Sequence, residues 1–252
     1  MKIPDLKKIA KEAEAWKVGY EKIKGKWVVK YTRQNTTIPA DKKLLKKLGI
    51  KKGEKVLSIA TYYGSWASAI AGAGAIVDYS DASKSITAWA KKNLKGFRKF
   101  ICSDYIYLPK KKLEYDRTFT FEALGGKKGL PIAYLRSLLN KKGGILVNFP
   151  RLDKQGKPVG SKDKQYPLIV RTLAKLYGAK AKVKIIFISA TRRGKPVKTH
   201  HRIYTIITNA KARKLAEKDI KGLFSGKMQN SSKKRLSRIA AIISPKFIKE
   251  IK

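Results

Sequence analysis

Residues 55–94 read KVLSIATYYGSWASAIAGAGAIVDYSDASKSITAWAKKNL, and this stretch decides the fold. Val56, Leu57, Ile59 and Ala60 form an apolar run that leads into a tight segment ending at Gly64. A helix rich in small residues follows, then a second apolar run at 75–77 closed by Asp78. Strand, loop, helix, strand and acid, in that order, make the opening half of a nucleotide-binding α/β unit. Such a loop turns backbone N–H groups and a helix N-terminus toward a ligand, and Asp78 is expected to accept hydrogen bonds from a ribose diol. The glycine fingerprint is incomplete: Ala60 and Tyr62 stand at two glycine-like positions, and Gly64 remains.

Outward from this stretch the alternation continues. Strands are predicted at 55–60, 75–79, 98–102, 115–121 and 144–149, with helices at 65–73, 82–94 and 130–141. Alternation at this spacing means a parallel sheet with right-handed crossovers. A helix over 41–49, stopped by Gly49, precedes the first strand. A helix at 167–178 and a late hairpin complete the sheet. Near the N-terminus, Leu6, Ile9, Ala10, Ala13 and Trp16 recur at helical spacing over 5–17, and 27–31 is a short strand candidate. The chain divides into an N-terminal cap extension (1–49), an α/β domain (50–209) and a basic helical extension (210–252).

The motif order resembles that of the class I S-adenosylmethionine-dependent methyltransferases over roughly residues 50–209. VLSIATYYG (56–64) is similar to their first motif and AIVDYS (75–80) to the second. FICSDYIYLP (100–109) resembles the third, YDRTFTFEAL (115–124) the fourth and GGILVNFP (143–150) the fifth. KVKIIFISA (182–190) and HRIYTIITN (201–209) resemble the closing antiparallel pair. Two departures are present: Ser58 replaces the acid usual in the first strand, and Tyr62 and Tyr63 crowd the loop. The resemblance implies a Rossmann-like, seven-stranded, mostly parallel sheet with helices on both faces and an antiparallel last hairpin. It implies S-adenosyl-L-methionine as cofactor, held by Ala60, Thr61, Tyr62, Gly64, Asp78, Tyr79, Ser103, Asp104, Tyr105 and Phe121. It places Glu122 and Asn148 as catalytic candidates, after the fourth strand and at the end of the fifth. The amino-methylating signature [DN]-P-P-[YFW] is absent, and Cys102 lies on the third strand, away from where a 5-methylcytosine nucleophile would be needed.

The charge is extreme. Sixty Lys and Arg stand against seventeen Asp and Glu, a formal net charge of +43. A polyanionic partner is the simplest physical reason to tolerate such self-repulsion, because each basic contact to a phosphate releases counterion. The alternative is a host whose proteins are generally Lys-rich. Two basic stretches are the candidate nucleic-acid contacts: Lys154, Lys157 and Lys162 after the fifth strand, and Arg192, Arg193, Lys195 and Lys198 in the late hairpin. Scarce acids fall in the segment that edges the predicted pocket; Asp81, Glu114 and Asp116 are assigned there to caps or surface. A single cysteine excludes a disulfide framework, and no metal site is expected. No apolar run of membrane-spanning length and no secretory signal is present, so a cytoplasmic location is expected. Three functions stay open: an RNA methyltransferase acting on rRNA or tRNA, a methyltransferase-like RNA- or ribosome-binding subunit that has lost activity, and a small-molecule or protein methyltransferase with a host-determined surface.

Overall fold

The computed structural model describes residues 20–23, 26–29, 36–61, 64–103, 115–121, 129–148, 161–192, 195–225, 227 and 229–242. Five strands pair in parallel: β4 (Lys55–Ser58), β5 (Ile76–Asp81), β6 (Phe97–Cys102), β7 (Arg117–Phe121) and β8 (Gly143–Asn148). β9 (Lys180–Arg192) and β10 (Lys195–Ile207) form the antiparallel hairpin, with β10 against β8. These are the seven strands expected. A two-residue strand, β3 (Thr36–Thr37), adds to the outer edge of β9, giving the order β3-β9-β10-β8-β7-β4-β5-β6. A separate ribbon pairs β1 (Tyr20–Ile23) with β2 (Lys26–Val29). The chain moves outward from β4 to β5 and β6, then returns past β4 to β7 and β8. The switch point therefore lies between β4 and β7, where open α/β sheets bind ligands beyond the carboxyl ends of their strands.

Helices cover both faces because the strands are apolar on both. On one face, α1 (Lys42–Leu48) and α2 (Ser65–Gly72) bury Leu44, Leu45, Leu48, Trp66 and Ile70 against Val56, Val77, Ile145 and Val147. Asp41 caps α1 by accepting from Leu44 N, and Gly49 ends it in the left-handed conformation. α3 (Lys84–Asn93), capped by Ser83, packs along β5 and β6. On the other face, α4 (Gly129–Leu138), α5 (Ser161–Tyr177), α6 (Ala210–Ser225) and α7 (Asn230–Ile242) bury Tyr134, Leu138, Leu173, Tyr177, Ala212, Ile220 and Ile239 against Leu57 and Leu146. α6 and α7 are clamped by a buried pair: Arg235 Nε donates to Asp219 Oδ2 at 2.9 Å, and Tyr177 Oη donates to the same oxygen at 2.7 Å.

Three boundaries differ from the sequence reading. β5 runs on to Asp81 instead of ending near Asp78. α5 begins at Ser161, six residues before Pro167, which therefore lies inside the helix and cannot donate to the carbonyl four residues back. The hairpin strands reach Arg192 and resume at Lys195, so most of the basic stretch read as a loop is strand. Thr191, Val197 and Thr199 favour extended backbone there. Glycine is required where β8 starts. A Cβ on Gly144 would lie 2.2 Å from Ser137 Oγ and 2.6 Å from Thr118 Oγ1, so α4 rests directly on the backbone of β8. The N-terminal helix predicted at 5–17 lies outside the described residues.

Candidate cofactor and substrate site

The carboxyl ends of β4, β5 and β6 are stitched into one rim. Thr61 N donates to the Ser80 carbonyl at 3.0 Å, and Ser103 N donates to the Asp81 carbonyl at 2.9 Å. Thr61 Oγ1 lies 2.8 Å from both the carbonyl oxygen and Oγ of Ser58. Ser58, standing where an acid was expected, thus holds the loop after β4. That loop leaves the strand through Ala60 at φ 50°, the sole non-glycine with positive φ among the described residues. A left-handed alanine costs on the order of 1 kcal/mol, and such strain collects where a backbone must meet a ligand. Gly64, at φ 70°, turns the chain into α2, and a Cβ there would meet Leu94 Cδ1 at 2.7 Å. Backbone amides at the start of α2 therefore face the end of the sheet beside β5.

The two acids of β5 have different environments from those read in the sequence. Asp78 is mid-strand and fully buried. Arg98 Nε donates to its Oδ1 at 2.8 Å, Arg98 Nη2 donates to its Oδ2 at 2.7 Å, and the Tyr115 hydroxyl donates to the same Oδ2. The hydrogen bond to Asp78 raises the pKa of Arg98 further, and burial followed by Asp78 raises that of Tyr115. This carboxylate neutralises the core and does not reach the strand end. Tyr79 is also fully buried, its ring packed on Phe97 and Phe100 at 5.8 and 5.4 Å. Both side chains are thus enclosed in the core, whereas the sequence reading expected them at a ligand. Asp81 ends β5, three residues on from Asp78. Its Oδ1 accepts from Ser83 N at 3.0 Å, so it braces the start of α3 from the rim itself. The sequence signal was present: Asp81 and the N-cap Ser83 directly precede the α3 helix, whereas residues 79–83 stand between Asp78 and that helix. Asp116 accepts from Lys55 N at 2.9 Å, at the opposite end of the sheet. Tyr62, Asp104, Tyr105, Glu114 and Glu122 lie outside the described residues.

On the β7 and β8 side the rim is aromatic on one face and polar on the other. Trp66 is buried, stacked on Phe121 at 5.5 Å, tilted on Phe119 at 5.9 Å and edge-on to His201 at 4.8 Å. Trp66 therefore packs the core, and Phe121 at the end of β7 joins it. Burial, with a contribution from His200, pushes the His201 pKa down to about 3, so the ring is neutral near pH 7. Its Nε2 pairs with Thr199 Oγ1 at 2.9 Å. The α5 face carries Asn148, the last residue of β8, which is 5% exposed. Asn148 Oδ1 and Thr120 Oγ1 are both buried without a hydrogen-bond partner. Leaving such a group unpaired costs about 1–3 kcal/mol, so these atoms fit a ligand or water at the strand ends.

The hairpin settles where its basic residues lie. Arg202 pairs with Asn148, so 195–201 of β10 and 186–192 of β9 run past the carboxyl end of β8. Arg192 and Lys195 are thus carried beyond the ligand-binding edge of the sheet, and Lys198 lies on that overhang with its ammonium 5.1 Å from the Phe187 ring. Lys162 is in the first turn of α5. Lys154, Lys157 and Arg193 lie outside the described residues. No helix among the described residues is long and apolar enough to cross a membrane, and no His, Cys, Asp and Glu cluster there is arranged to hold a metal.

No protein-family model and no curated protein matches the chain. Several solved structures are similar to about two thirds of the chain. A Pyrococcus horikoshii protein proposed to be an RNA methyltransferase is 14% identical over 66% of this chain and 80% of its own, with a TM-score of 0.46. The magnesium protoporphyrin IX methyltransferase of Synechocystis, solved with bound S-adenosylmethionine, is 18% identical over 67% of this chain and 76% of its own, at 0.43. A precorrin-6y C5,15-methyltransferase of Geobacter metallireducens is 14% identical over 67% and 87%, at 0.44. The identities are low and the likeness is one of fold. The strand order, with its antiparallel closing hairpin, gives the chain the Rossmann-like fold of the class I methyltransferases.

Proposed function

We propose that the chain is an S-adenosylmethionine-dependent methyltransferase that acts on RNA. The observation that carries the cofactor reading is the rim at the switch point: a strained turn at Ala60, Gly64 opening α2, and Asp81 at the adjacent strand end, joined through Thr61 and Ser103. In this reading Asp81 accepts from the ribose hydroxyls, in place of Asp78. The loop at 60–64 receives the amino-acid end, and Ser103 with the following residues borders the adenine. Bound there, S-adenosylmethionine would supply an electrophilic methyl group. The chain's task is then to hold the accepting atom in line and to keep water out, which is where most of the rate comes from in such a displacement. Asn148 and Thr120, with their unpaired oxygens, are the residues proposed to orient the acceptor. Glu122, just past β7, is the proposed base where the accepting atom must lose a proton.

RNA is proposed from charge. The net charge of +43 and the basic hairpin that overhangs the same edge of the sheet support a polyanion as substrate. Calorimetry with S-adenosylhomocysteine tests the cofactor, with micromolar to millimolar binding expected. Transfer of a labelled methyl group to total RNA, absent with porphyrin or protein acceptors, tests the substrate. No heat at millimolar ligand would replace this reading with that of a binding subunit.

A further inference from the structure

The overhanging part of the hairpin has an exposed apolar centre. Ala181 and Val183 of β9 pack into the core beside α5, and the two-residue period of a strand sends Ile185, Phe187 and Ser189 to the same face beyond the helix. There Phe187 is 51% exposed and Ile185 39% exposed. The register sets Lys198 opposite Ser189, His200 opposite Phe187 and Arg202 opposite Ile185. The Lys198 ammonium lies 5.1 Å from the centre of the Phe187 ring, and the His200 ring 6.5 Å away. Across the next strand Arg202 meets Asn148. A row of positions on one face thus runs from the proposed acceptor pocket, through the buried Arg202, to an open phenyl ring with the Lys198 ammonium over it.

We propose that this face of β9 and β10 is a stacking platform for the bases of single-stranded RNA, with Phe187 as the stacking ring and the exposed Lys198 beside it for a phosphate. The polymer's identity rests on the RNA reading above; the platform itself does not depend on methyl transfer. Three observations favour this occupant. A ring standing open on a sheet offers a flat apolar surface to any base, whatever the sequence. The side chains around the ring are the exposed Lys198 and the half-buried His200, with no acid paired to them in the register, which suits a phosphate backbone and opposes a second copy of a chain carrying +43. Strand spacing and rise put Phe187 about 12 Å from Asn148, a reach of about two nucleotides. A base resting on Phe187 would therefore hold its strand while a neighbouring nucleotide enters the pocket. The contact between Lys198 and the ring does not block this, because an exposed cation over a ring gains less than a stacked base and is released to a phosphate.

The test uses the full chain and fluorescence anisotropy with a labelled twelve-nucleotide oligouridine and a twelve-base-pair RNA duplex. Phe187→Ala is expected to weaken oligouridine binding about 5- to 150-fold, leave duplex binding within twofold, and leave the salt slope unchanged, since no charge is removed. Phe187→Trp should restore binding, and Lys198→Ala should lower the slope by about 0.7. The proposal is overturned if Phe187→Ala binds oligouridine like the wild type, if single strand and duplex weaken equally, if Phe187→Trp is no better than Phe187→Ala, or if sedimentation shows a wild-type dimer that Phe187→Ala splits. Calorimetry with S-adenosylhomocysteine on the same samples separates the two readings. A Phe187 effect without cofactor heat keeps the platform and removes the enzyme; cofactor heat without a Phe187 effect does the reverse.

Discussion

Arg98 grips Asp78 from the neighbouring strand with two parallel hydrogen bonds, Nε to Oδ1 at 2.8 Å and Nη2 to Oδ2 at 2.7 Å. The Asp78 side chain is fully buried while that of Arg98 is 37% exposed. Removing the arginine would leave a buried charge with Tyr115 beside it. Arg98→Met is expected to destabilise the fold by about 2–3 kcal/mol, below the usual cost for a broken buried pair because water reaches Arg98. Urea unfolding measures this, and affinity for S-adenosylhomocysteine should change less than twofold. A variant of wild-type stability that no longer binds the cofactor would return Asp78 to the pocket.

Asp81→Ala carries the opposite expectation. Ribose hydroxyls would lose a charged acceptor, and binding of S-adenosylhomocysteine should weaken by about 1–3 kcal/mol. Unfolding midpoints should move little, because Ser83 still caps α3. Calorimetry on the two variants side by side decides which acid of β5 serves the ligand.

His201 makes stability depend on pH. Its pKa is about 6.5 in the unfolded chain and about 3 in the folded one, so between these values the unfolded state binds more protons. Stability is therefore complete above about pH 6.5 and falls as the solution is acidified toward pH 3, by up to about 1.4 kcal/mol per pH unit. Urea midpoints at pH 7 and pH 5 should differ in the wild type and converge in His201→Phe. Equal pH slopes in both proteins would show that the histidine is hydrated in solution.

Gly144→Ala should be poorly tolerated. The added methyl would sit 2.2 Å from Ser137 Oγ, and α4 would have to move off β8. Overpacking of this kind costs about 3 kcal/mol. A urea midpoint within error of the wild type would mean that α4 rides higher on the sheet than the structure has it.

The fold was legible because its signal is repeated. Apolar runs alternate with helical periods from β4 to β8, and each unit confirms the handedness of the last. The strand ends that carry the proposed site were legible, and the environments of their acids were not. Asp78 and Asp81 are three residues apart on one strand, and the sequence does not say where that strand stops. What separates their environments is Arg98, twenty residues from Asp78, whose guanidinium pairs with that carboxylate. The hairpin overhang was hidden for a related reason. Lys, Arg and Gly read as a solvated tip, while the pairing that extends the strands is supplied by the partner strand and by β3. Phe187 drew no attention in the sequence because an apolar residue in an apolar strand is ordinarily core.

The clamp of Asp219 by Arg235 bears on how the chain is made. Asp219 is fully buried in α6, and the cation that neutralises it sits in α7, sixteen residues later. A nascent polypeptide that has emerged only as far as α6 carries a bare charge where its second layer of helices must close, with the Tyr177 hydroxyl alone to meet it. Closure of that layer is expected to depend on Arg235. Pulse proteolysis of a chain ending at residue 228 should find α6 open and the β4–β8 sheet protected. The ribosome would then deliver a sheet able to assemble early and a helical layer that locks late, so that α7 serves as the latch of biosynthesis.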